Sequence, residues 1–324
     1  MEGFAISIGG TVMAVQLAEE APRTIEIKPL AMTIGAEISG VDLTKPLPGQ
    51  QVGEVRAAFL RWKVLFFRNQ PLDHAQQVAF SCQFGTCTPA HAVYGHQDDA
   101  FPEVYSIDRD RRNKRYKGEG LLHPWSGWHA DVTPAINPPA ISILRGDRMP
   151  PYGGDTQFAD MVAAYNALSP NMRAIVDTLR GIHRYQGNAG VNVSREYAET
   201  LNKNRIVSEH PLVRVHPETG ERALYVSPSF LESIVGFTPT ESSALLAMLK
   251  THAARPEFTV RFKWEDHSLA MWDNRQVLHM GPKDIVGSEF AREIHRTTLM
   301  GDIPVGPDGK RSIAIEGTPI RPVN

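Results

Sequence analysis

The sequence predicts a mainly β fold with a minority of helices, a sandwich or jelly roll decorated by helices. The last third of the chain carries three strand signals in close succession, EFTVRFKW (257–264), HSLAMWDN (267–274) and REIHRTTLMGD (292–302). In the first of them apolar side chains alternate with polar ones, as on a strand with one buried face. Across the rest of the chain, short strand signals alternate with only a few helices, and no internal repeat is present.

Three earlier segments also have the pattern of strands. Residues 24–30 (TIEIKPL) alternate apolar and polar side chains, which is typical of a half-buried strand. Residues 63–69 (KVLFFRN) form a continuous apolar run, which suits a strand buried on both faces. Residues 210–227 (HPLVRVHPETGERALYVS) contain two apolar-rich segments around Thr219 and Gly220, and this predicts a hairpin.

Four helices are predicted, three of them from a capping residue. They are 72–85 with Asp73 as N-cap, 161–168, 169–179 with Ser169 as N-cap, and 238–253 with Thr238 as N-cap. Gln76 and Glu241 each lie three residues after a cap, so two of these helices begin with a capping box. Proline directly follows Ser169 and Thr238, at the first helical position, where no amide hydrogen is needed.

Composition indicates one ordinary globular domain with two flanking segments. The 324 residues are 42% hydrophobic and 22% charged, which allows a sizeable core. We place the domain at 23–304, a flexible extension at 1–22, and a tail rich in Pro and Gly at 305–324. No apolar run reaches the roughly 20 residues of a membrane span. The first basic residue is Arg23, unlike the start of a secretory signal.

Charge and cysteine content limit the partners and the compartment. The net charge of −2 gives no general attraction to nucleic acid or to anionic membranes. One run, 109–120, has six basic residues within nine positions; a solvated loop explains it, although it could also steer an anion. Only Cys82 and Cys87 are cysteines, which fits a reducing cytoplasm and makes a weak candidate pair of metal ligands. We therefore expect a cytoplasmic protein with no nucleic-acid or membrane partner. We also expect a homo-oligomer, either a dimer or a tetramer.

A histidine and a carboxylate two positions apart occur in WSGWHADVTPAIN (125–137). In an extended strand such side chains project to the same side, so His129 and Asp131 would present a nitrogen and an oxygen to one point. This is half of a metal site. A surface tripeptide is the alternative, because 12 histidines make this pattern common by chance.

The other half of the site is expected from His279, which follows an apolar strand and the turn-prone pair Asp273 and Asn274. Two histidines and one carboxylate form the facial triad of non-haem Fe(II) oxygenases, which leaves three positions for a co-substrate and dioxygen. Zinc accepts the same ligands in a hydrolase. The choice depends on whether the chain also provides for an oxoacid.

Two arginines close to the distal histidine indicate that it does. Arg292 and Arg296 lie in one strand signal, and residues 292, 294 and 296 share a face, so both guanidinium groups are expected to point into the same cavity. Guanidinium binds carboxylate or sulfonate through paired, planar hydrogen bonds. The alternative is a surface salt-bridge pair on an edge strand.

The sequence resembles the taurine dioxygenase family of Fe(II)- and 2-oxoglutarate-dependent dioxygenases. The resemblance runs in order over about residues 24 to 304. It rests on six blocks: IGAEISGVDLTKPL (34–47), WHADVT (128–133), YGGDTQF (152–158), HPLVRVHPETGERAL (210–224), WDNRQVLH (272–279) and HRTTLMGD (295–302). It implies a double-stranded β-helix, the jelly roll also indicated by the strand pattern.

The resemblance also implies roles for single residues. His129, Asp131 and His279 would ligate Fe(II), and 2-oxoglutarate would chelate the iron beside O2. The far carboxylate of 2-oxoglutarate would meet Arg292 and the hydroxyl of Thr156. The implied reaction hydroxylates a C–H bond and yields succinate and carbon dioxide. If the hydroxylated carbon carries a sulfonate, the product breaks down to an aldehyde and sulfite.

The prime substrate is expected to be a small anion gripped by Arg296, a sulfonate such as taurine, with an alkyl sulfate ester or a carboxylate as alternatives. His91 and Tyr94 match polar residues that contact taurine in the family. Trp125 stands in place of an asparagine, and Ala189 in place of a phenylalanine that walls the pocket, so the cavity is expected to be reshaped.

Three classes of function are therefore open: the oxygenase, a zinc hydrolase on the same triad, and a non-catalytic metal-binding jelly roll. Arg292 and Thr156 favour the oxygenase, because together they would clamp a dicarboxylic acid. The remaining histidines of the strand and hairpin segments are expected to be structural; these are His183, His210, His216 and His295.

Overall fold

The fold is taken from a computed structural model, which describes residues 23–91, 95, 98–108, 127–185, 199, 202–281, 284–285 and 288–323. The expected N-terminal extension and the basic run therefore lie outside the described residues. Within the described part of the chain, no helix is both long enough and apolar enough to cross a lipid bilayer.

The described residues form sixteen strands and five α-helices. The strands are β1 Glu26–Pro29, β2 Ala36–Ser39, β3 Val64–Phe67, β4 Tyr105–Asp108, β5 Ile141–Arg148, β6 Thr156–Asp160, β7 Arg180–Arg184, β8 Val207–Pro211, β9 Val213–Val215, β10 Arg222–Leu224, β11 Leu231–Ile234, β12 Thr259–Phe262, β13 Leu269–Asp273, β14 Val277–Met280, β15 Glu293–Leu299 and β16 Ile313–Glu316. The helices are α1 Gly49–Trp62, α2 His74–Cys82, α3 Met161–Asn166, α4 Pro170–Val176 and α5 Pro239–Ala253.

The strands form one large sheet and three smaller ones. The large sheet has the order β1-β2-β3-β13-β5-β15-β4, and the smaller ones are β12-β6-β14, β11-β7-β8-β16 and β10-β9. Neighbouring strands are antiparallel, except that β2 and β3 are parallel. This is the mainly β architecture with helices that the sequence predicts.

The core between the sheets is built from aromatic side chains. Phe66 on β3 stacks on Phe262 of β12 with ring centroids 4.1 Å apart, and Phe158 on β6 lies 5.5 Å from Trp272 of β13. The large sheet and the β12-β6-β14 sheet therefore face each other across one apolar layer. Burial of apolar surface in this layer stabilises the packing of the two sheets.

Strand β3 is buried on both faces, as its apolar run predicts. Val64 and Phe66 face the layer between the sheets, whereas Leu65 and Phe67 face the helices α1 and α2. The alternation follows from the two-residue repeat of a strand. The helices thus cover the outer face of the large sheet.

The capping signals are confirmed. Asp73 accepts a hydrogen bond from the backbone of Gln76, and Thr238 accepts one from Glu241, both in complete capping boxes. Ser169 caps α4, with proline at its first position. The sequence did not identify α1, which starts after Pro48 with no side-chain cap, or β5, although β5 has eight residues and is central in the sheet.

The predicted hairpin is present, since β9 and β10 pair antiparallel. The segment expected as a C-terminal tail contributes a strand: β16 pairs with β8 and forms the edge of the four-stranded sheet.

Strand β15 lies between β5 and β4 and carries both predicted anion-binding arginines near or within it. Its pairing with β5 contains a bulge. Glu293 pairs with Arg148 and Ile294 pairs with Gly146, so Asp147 is an extra residue on the β5 side. Gln77 of α2 donates to the backbone of both His295 in β15 and Ile143 in β5. The strand is therefore fixed by both neighbours and by a helix.

The close backbone packing just after the end of β15 allows the effect of one substitution to be predicted. A Cβ on Gly301 would lie 1.8 Å from the carbonyl oxygen of Pro138, which is backbone and cannot move aside. We expect Gly301→Ala to lower the free energy of unfolding by about 3 kcal/mol or more. Gly53→Ala in α1 is the control: with nothing within 4 Å it should raise stability slightly. Urea denaturation of both variants checks this, and equal midpoints would contradict the close approach.

Candidate metal and anion site

The two predicted histidine ligands face each other across a backbone bridge. His129 N–H donates to the carbonyl of His279 at 3.0 Å, and His279 N–H donates back at 2.8 Å. One ligand atom from each of His129, Asp131 and His279 lies within 4.8 Å of the others. Within the described part of the chain this is the one group of His, Cys, Asp or Glu with such spacing. The structure therefore brings the predicted triad together.

The local backbone differs from the extended strand assumed for the HxD segment. His129 is in a bridge, but the chain turns from Asp131 onward, and Val132 has a φ of 46°. A β-branched residue at positive φ is strained, so the surroundings must hold it there. The carboxylate of Asp131 reaches the histidines because of this turn.

Side chains from distant parts of the chain fix the turn. Asp131 N–H donates to Asn274 Oδ1 at 3.2 Å, and Ala130 N–H donates to Ser227 Oγ at 3.3 Å. His210 Nε2 lies 2.7 Å from the carbonyl oxygen of Thr133. Burial lowers the pKa of His210 to about 3, so the ring is neutral and its Nε2–H donates to that carbonyl. His210 is therefore structural, as expected.

Both histidine ligands are neutral. Burial lowers the pKa of His129, and burial together with the neighbouring His129 lowers that of His279 well below its usual range. His129 Nδ1 lies 2.8 Å from the carbonyl oxygen of Gly127, so Nδ1 carries the proton and Nε2 keeps a lone pair. Nδ1 of His279 is buried without a hydrogen-bond partner among the described residues. These are the properties of metal-binding imidazoles.

Asp131 is ionised although it is buried. Burial by itself raises the pKa of its carboxyl, but the charge of Arg296 and the polar groups around it outweigh burial and hold the pKa below its usual range. Ser142 Oγ donates to Oδ2 at 2.6 Å, and Arg296 Nη1 donates to Oδ1 at 2.6 Å. Asn274 Nδ2 donates to Ser142 Oγ at 2.8 Å and so orients that hydroxyl.

Two neutral imidazoles and one carboxylate are the donor set that a divalent ion such as Fe(II) requires. Nδ1 of His279 has no hydrogen-bond partner among the described residues, so this ring has a nitrogen that no protein group uses. The residues therefore fit the predicted metal.

Arg292 lies against the glycine pair that precedes Thr156. Its Nε donates to the carbonyl of Gly154 at 3.1 Å, and its side chain is buried. Gly154 has a φ of 67°, and a Cβ there would lie 3.2 Å from both Cδ and Nε of Arg292. Gly154 N–H in turn donates to Asp284 at 3.0 Å. The loop and the arginine are thus held against each other at a point where only glycine fits without strain.

The hydroxyl of Thr156 is oriented by a tryptophan. Trp264 Nε1–H donates to Thr156 Oγ1 at 2.9 Å, and both side chains are buried. An indole nitrogen only donates, so Thr156 accepts from it and keeps its own proton for another acceptor. The hydroxyl proton of Thr156 is therefore directed away from Trp264.

Two of the predicted substrate residues, Arg296 and His91, both lie close to the ring of Tyr105. The guanidinium carbon of Arg296 lies 5.4 Å from the ring centre of Tyr105, and the ring of His91 lies 5.4 Å from the same tyrosine. On the opposite face of β15, His295 pairs with Asp147 at 3.0 Å, away from Arg296. The other predicted substrate residues, Tyr94, Trp125 and Ala189, lie outside the described residues.

Sequence reasoning missed the residues that position the site. In the sequence, Asn274 shows only a turn propensity, and Trp264 only a place in an apolar stripe. Ser142 had a weak signal, as a polar residue inside the apolar run AISIL (140–144). The GGDT segment gives no sign that Gly154 contacts Arg292.

Comparison of the chain with known proteins gives a family match and relatives that are dioxygenases. Residues 26–298 match the family described as taurine catabolism dioxygenase TauD, TfdA family. A sulfate ester dioxygenase dependent on α-ketoglutarate (2-oxoglutarate), from Pseudomonas putida, is 37% identical, with 90% of this chain and 95% of the relative covered. A dioxygenase for 2,4-dichlorophenoxyacetate from Cupriavidus pinatubonensis is 28% identical, with 87% and 100% covered. The crystal structure of a taurine dioxygenase from Burkholderia xenovorans is 56% identical, with a TM-score of 0.78 and 92% and 96% covered.

The contact between Gly154 and Arg292 gives a testable prediction. We expect Gly154→Ala to displace Arg292 and to raise the KM for 2-oxoglutarate by about ten-fold, because a misplaced guanidinium loses its paired hydrogen bonds. Gly220→Ala is the matched control, since Gly220 has a similar φ of 72° but nothing within 4 Å. Both variants carry the same backbone strain, so an equal change in KM, measured by succinate formation, would rule out the contact as the cause.

Proposed function

The chain belongs to the TauD, TfdA family and is an Fe(II)- and 2-oxoglutarate-dependent dioxygenase, and we propose that it hydroxylates a small organic sulfonate held by Arg296. One observation carries the proposal: Nη1 of Arg296 lies 2.6 Å from the carboxylate of Asp131, one of the three residues of the triad. An anion bound by Arg296 would therefore have its neighbouring carbon beside the metal. The named relatives are dioxygenases, which decides against the zinc hydrolase.

A sulfonate is favoured over the other anions by similarity. The taurine dioxygenase from Burkholderia xenovorans is more similar to this chain than the sulfate ester dioxygenase from Pseudomonas putida is, at 56% against 37% identity. An alkyl sulfate ester is the second candidate, because Arg296 binds either anion by the same hydrogen bonds and the sulfate ester enzyme covers nearly the whole chain.

His129, Asp131 and His279 would hold the iron, which when bound supplies the oxidation of a C–H bond by dioxygen as 2-oxoglutarate loses carbon dioxide. Arg292 and the hydroxyl of Thr156 bind the far carboxylate of 2-oxoglutarate. Both side chains are buried, so water does not compete for these hydrogen bonds.

The remaining residues orient the groups that bind the metal, the co-substrate and the substrate. Ser142 fixes Oδ2 of Asp131, and Asn274 holds both the Ser142 hydroxyl and the Asp131 amide. Trp264 fixes the direction of the Thr156 proton. Arg296 orients the substrate anion, and the protein itself contributes no nucleophile in this scheme.

The triad is tested by removal of a ligand. We expect Asp131→Ala or His279→Ala to abolish both Fe(II) binding and succinate formation, because two ligands hold the ion weakly and wrongly oriented. Anaerobic titration with Fe(II) and 2-oxoglutarate, followed by the visible charge-transfer band of the chelated keto acid, measures binding directly. Wild-type turnover in either variant would remove the triad from the site.

The two arginines are expected to serve different anions. Arg292→Leu should weaken 2-oxoglutarate binding by about 30-fold to several thousand-fold, the usual effect of removing one partner of a desolvated charge pair. Arg296→Leu should leave the charge-transfer band nearly unchanged but abolish productive oxidation of the substrate. The assignment is wrong if Arg296→Leu loses 2-oxoglutarate and Arg292→Leu keeps it.

The substrate class is decided by a panel of matched sulfonates, alkyl sulfate esters and carboxylates, scored by succinate release together with sulfite or sulfate. A sulfonate with the highest kcat/KM supports the proposal. A preference for sulfate esters with no sulfite released would replace the sulfonate by the second candidate.

A further inference from the structure

Both oxygens of Asp131 have hydrogen-bond partners within the protein. Oδ2 accepts from the neutral hydroxyl of Ser142, and Oδ1 accepts from the charged guanidinium of Arg296, each at 2.6 Å. A divalent ion that uses this carboxylate must share or replace one of these contacts. A bound divalent ion would destabilise the contact between Arg296 and Asp131, because guanidinium and metal ion repel each other.

The ion pair is buried, so its charges are little screened by water. The side chains of Arg296 and Asp131 are only 11% and 4% exposed. Arg296 uses Nη1 for Asp131, whereas its Nε is buried with no hydrogen-bond partner among the described residues. A guanidinium that lacks an acceptor on one edge is incompletely satisfied, and a bound anion would complete it.

We propose that Arg296 occupies the metal-binding oxygen of Asp131 in the metal-free protein and releases it when the ion binds. This inference rests on the proposed function, since it takes Asp131 as a metal ligand. The released guanidinium then faces the substrate anion. Metal and substrate anion therefore favour each other's binding, because each one stabilises the arrangement in which Arg296 and Asp131 are apart.

The test compares Co2+ affinities without 2-oxoglutarate or substrate, measured by calorimetry. Arg296→Gln is expected to bind Co2+ about ten-fold more tightly than wild type, within the usual range of coupling between sites. Arg148→Gln is the matched control: it removes the same charge from an exposed arginine beside the same strand and should leave the affinity unchanged. An unchanged or weaker affinity in Arg296→Gln overturns the proposal.

A structure of wild-type protein with Co2+ bound keeps the proposal testable even if Arg296→Gln folds poorly. The distance from Arg296 Nη1 to Asp131 Oδ1 should exceed hydrogen-bond length, and a retained contact would overturn the inference. Asp131→Ala in the same titration distinguishes a failure of the proposed function from a failure of this inference alone. If it binds Co2+ like wild type, the proposed function fails; if it loses Co2+ while Arg296→Gln gains nothing, only this inference fails.

A second inference concerns Cys82 and Cys87, the only cysteines of the chain. Their sulfur atoms are 3.4 Å apart, in contact. Cys82 ends α2 and is exposed, whereas Cys87 is buried. The described residues offer no third ligand that would make the pair a metal site.

The geometry points to a dithiol that hydrogen peroxide oxidises to a disulfide. The exposed Cys82 sulfur attacks the peroxide, the O–O bond breaks, and a sulfenic acid and water form. The sulfur of Cys87 then attacks Cys82, the S–S bond forms, the S–O bond breaks, and a second water leaves. Two thiols and one peroxide thus give one disulfide and two waters. The sulfurs approach by only about 1.4 Å, to the disulfide length of about 2.05 Å.

The disulfide would tie two supports of β15 together. Ser81, next to Cys82, lies 2.7 Å from the hydroxyl of Thr297, and Cys87 bridges to Leu299. The link therefore joins the end of α2 to the segment that flanks the end of β15.

Hydrogen peroxide treatment followed by intact mass and thiol titration after denaturation tests this site. Wild type should lose both thiols and two hydrogens in mass, and dithiothreitol should restore them. Cys87→Ser should instead trap a sulfenic acid at Cys82 that dimedone labels, and Cys82→Ser should stay unmodified. Two free thiols after treatment, or oxygen added to wild type without a disulfide, would overturn the proposal.

Discussion

The buried carboxylate of Asp131 is the constraint on which the site depends. An isolated charge at this depth would be strongly unfavourable, so the protein must surround it with donors and positive charge. The groups that do so come from distant parts of the chain: Ser142 from β5, Asn274 from the loop after β13, and Arg296 from β15. The order of strands in the large sheet, in which β5 lies between β13 and β15, is what brings all three to one place.

The elements that sequence reasoning found are those with a local physical signature. The capping residues of α2, α4 and α5 satisfy amide groups within a few positions, so their effect is visible in a short window of sequence. Helix α1 begins after Pro48 without a side-chain cap and contains two glycines, and its stability comes from Val55 and Phe59 packing on the sheet. Such tertiary stabilisation leaves no local signal.

The same distinction holds in the site. The ligand types and their spacing identified His129, Asp131 and His279, because metal chemistry restricts which residues serve. The turn at Val132 could not be foreseen, since a β-branched residue at positive φ contradicts local preference and is held by distant partners. The role of Trp264 could not be predicted from the sequence either. Its ring fills the core, and only the direction of its N–H connects it to Thr156 in the proposed anion site.

The bulge at Asp147 changes how β5 supports the part of the chain that leads from Arg292 to Arg296. Along a regular strand, Arg292 and Arg296 would keep a fixed repeat, and both would advance together with any shift of register. The extra residue on β5 lies between the pairing partners of Glu293 and Ile294, so it adjusts the Arg292 end of the strand while Arg296 stays opposite Leu144. A change of length at this point of β5 would alter the pairing at the start of β15 without replacing either arginine, so the support of Arg292 can change independently of that of Arg296.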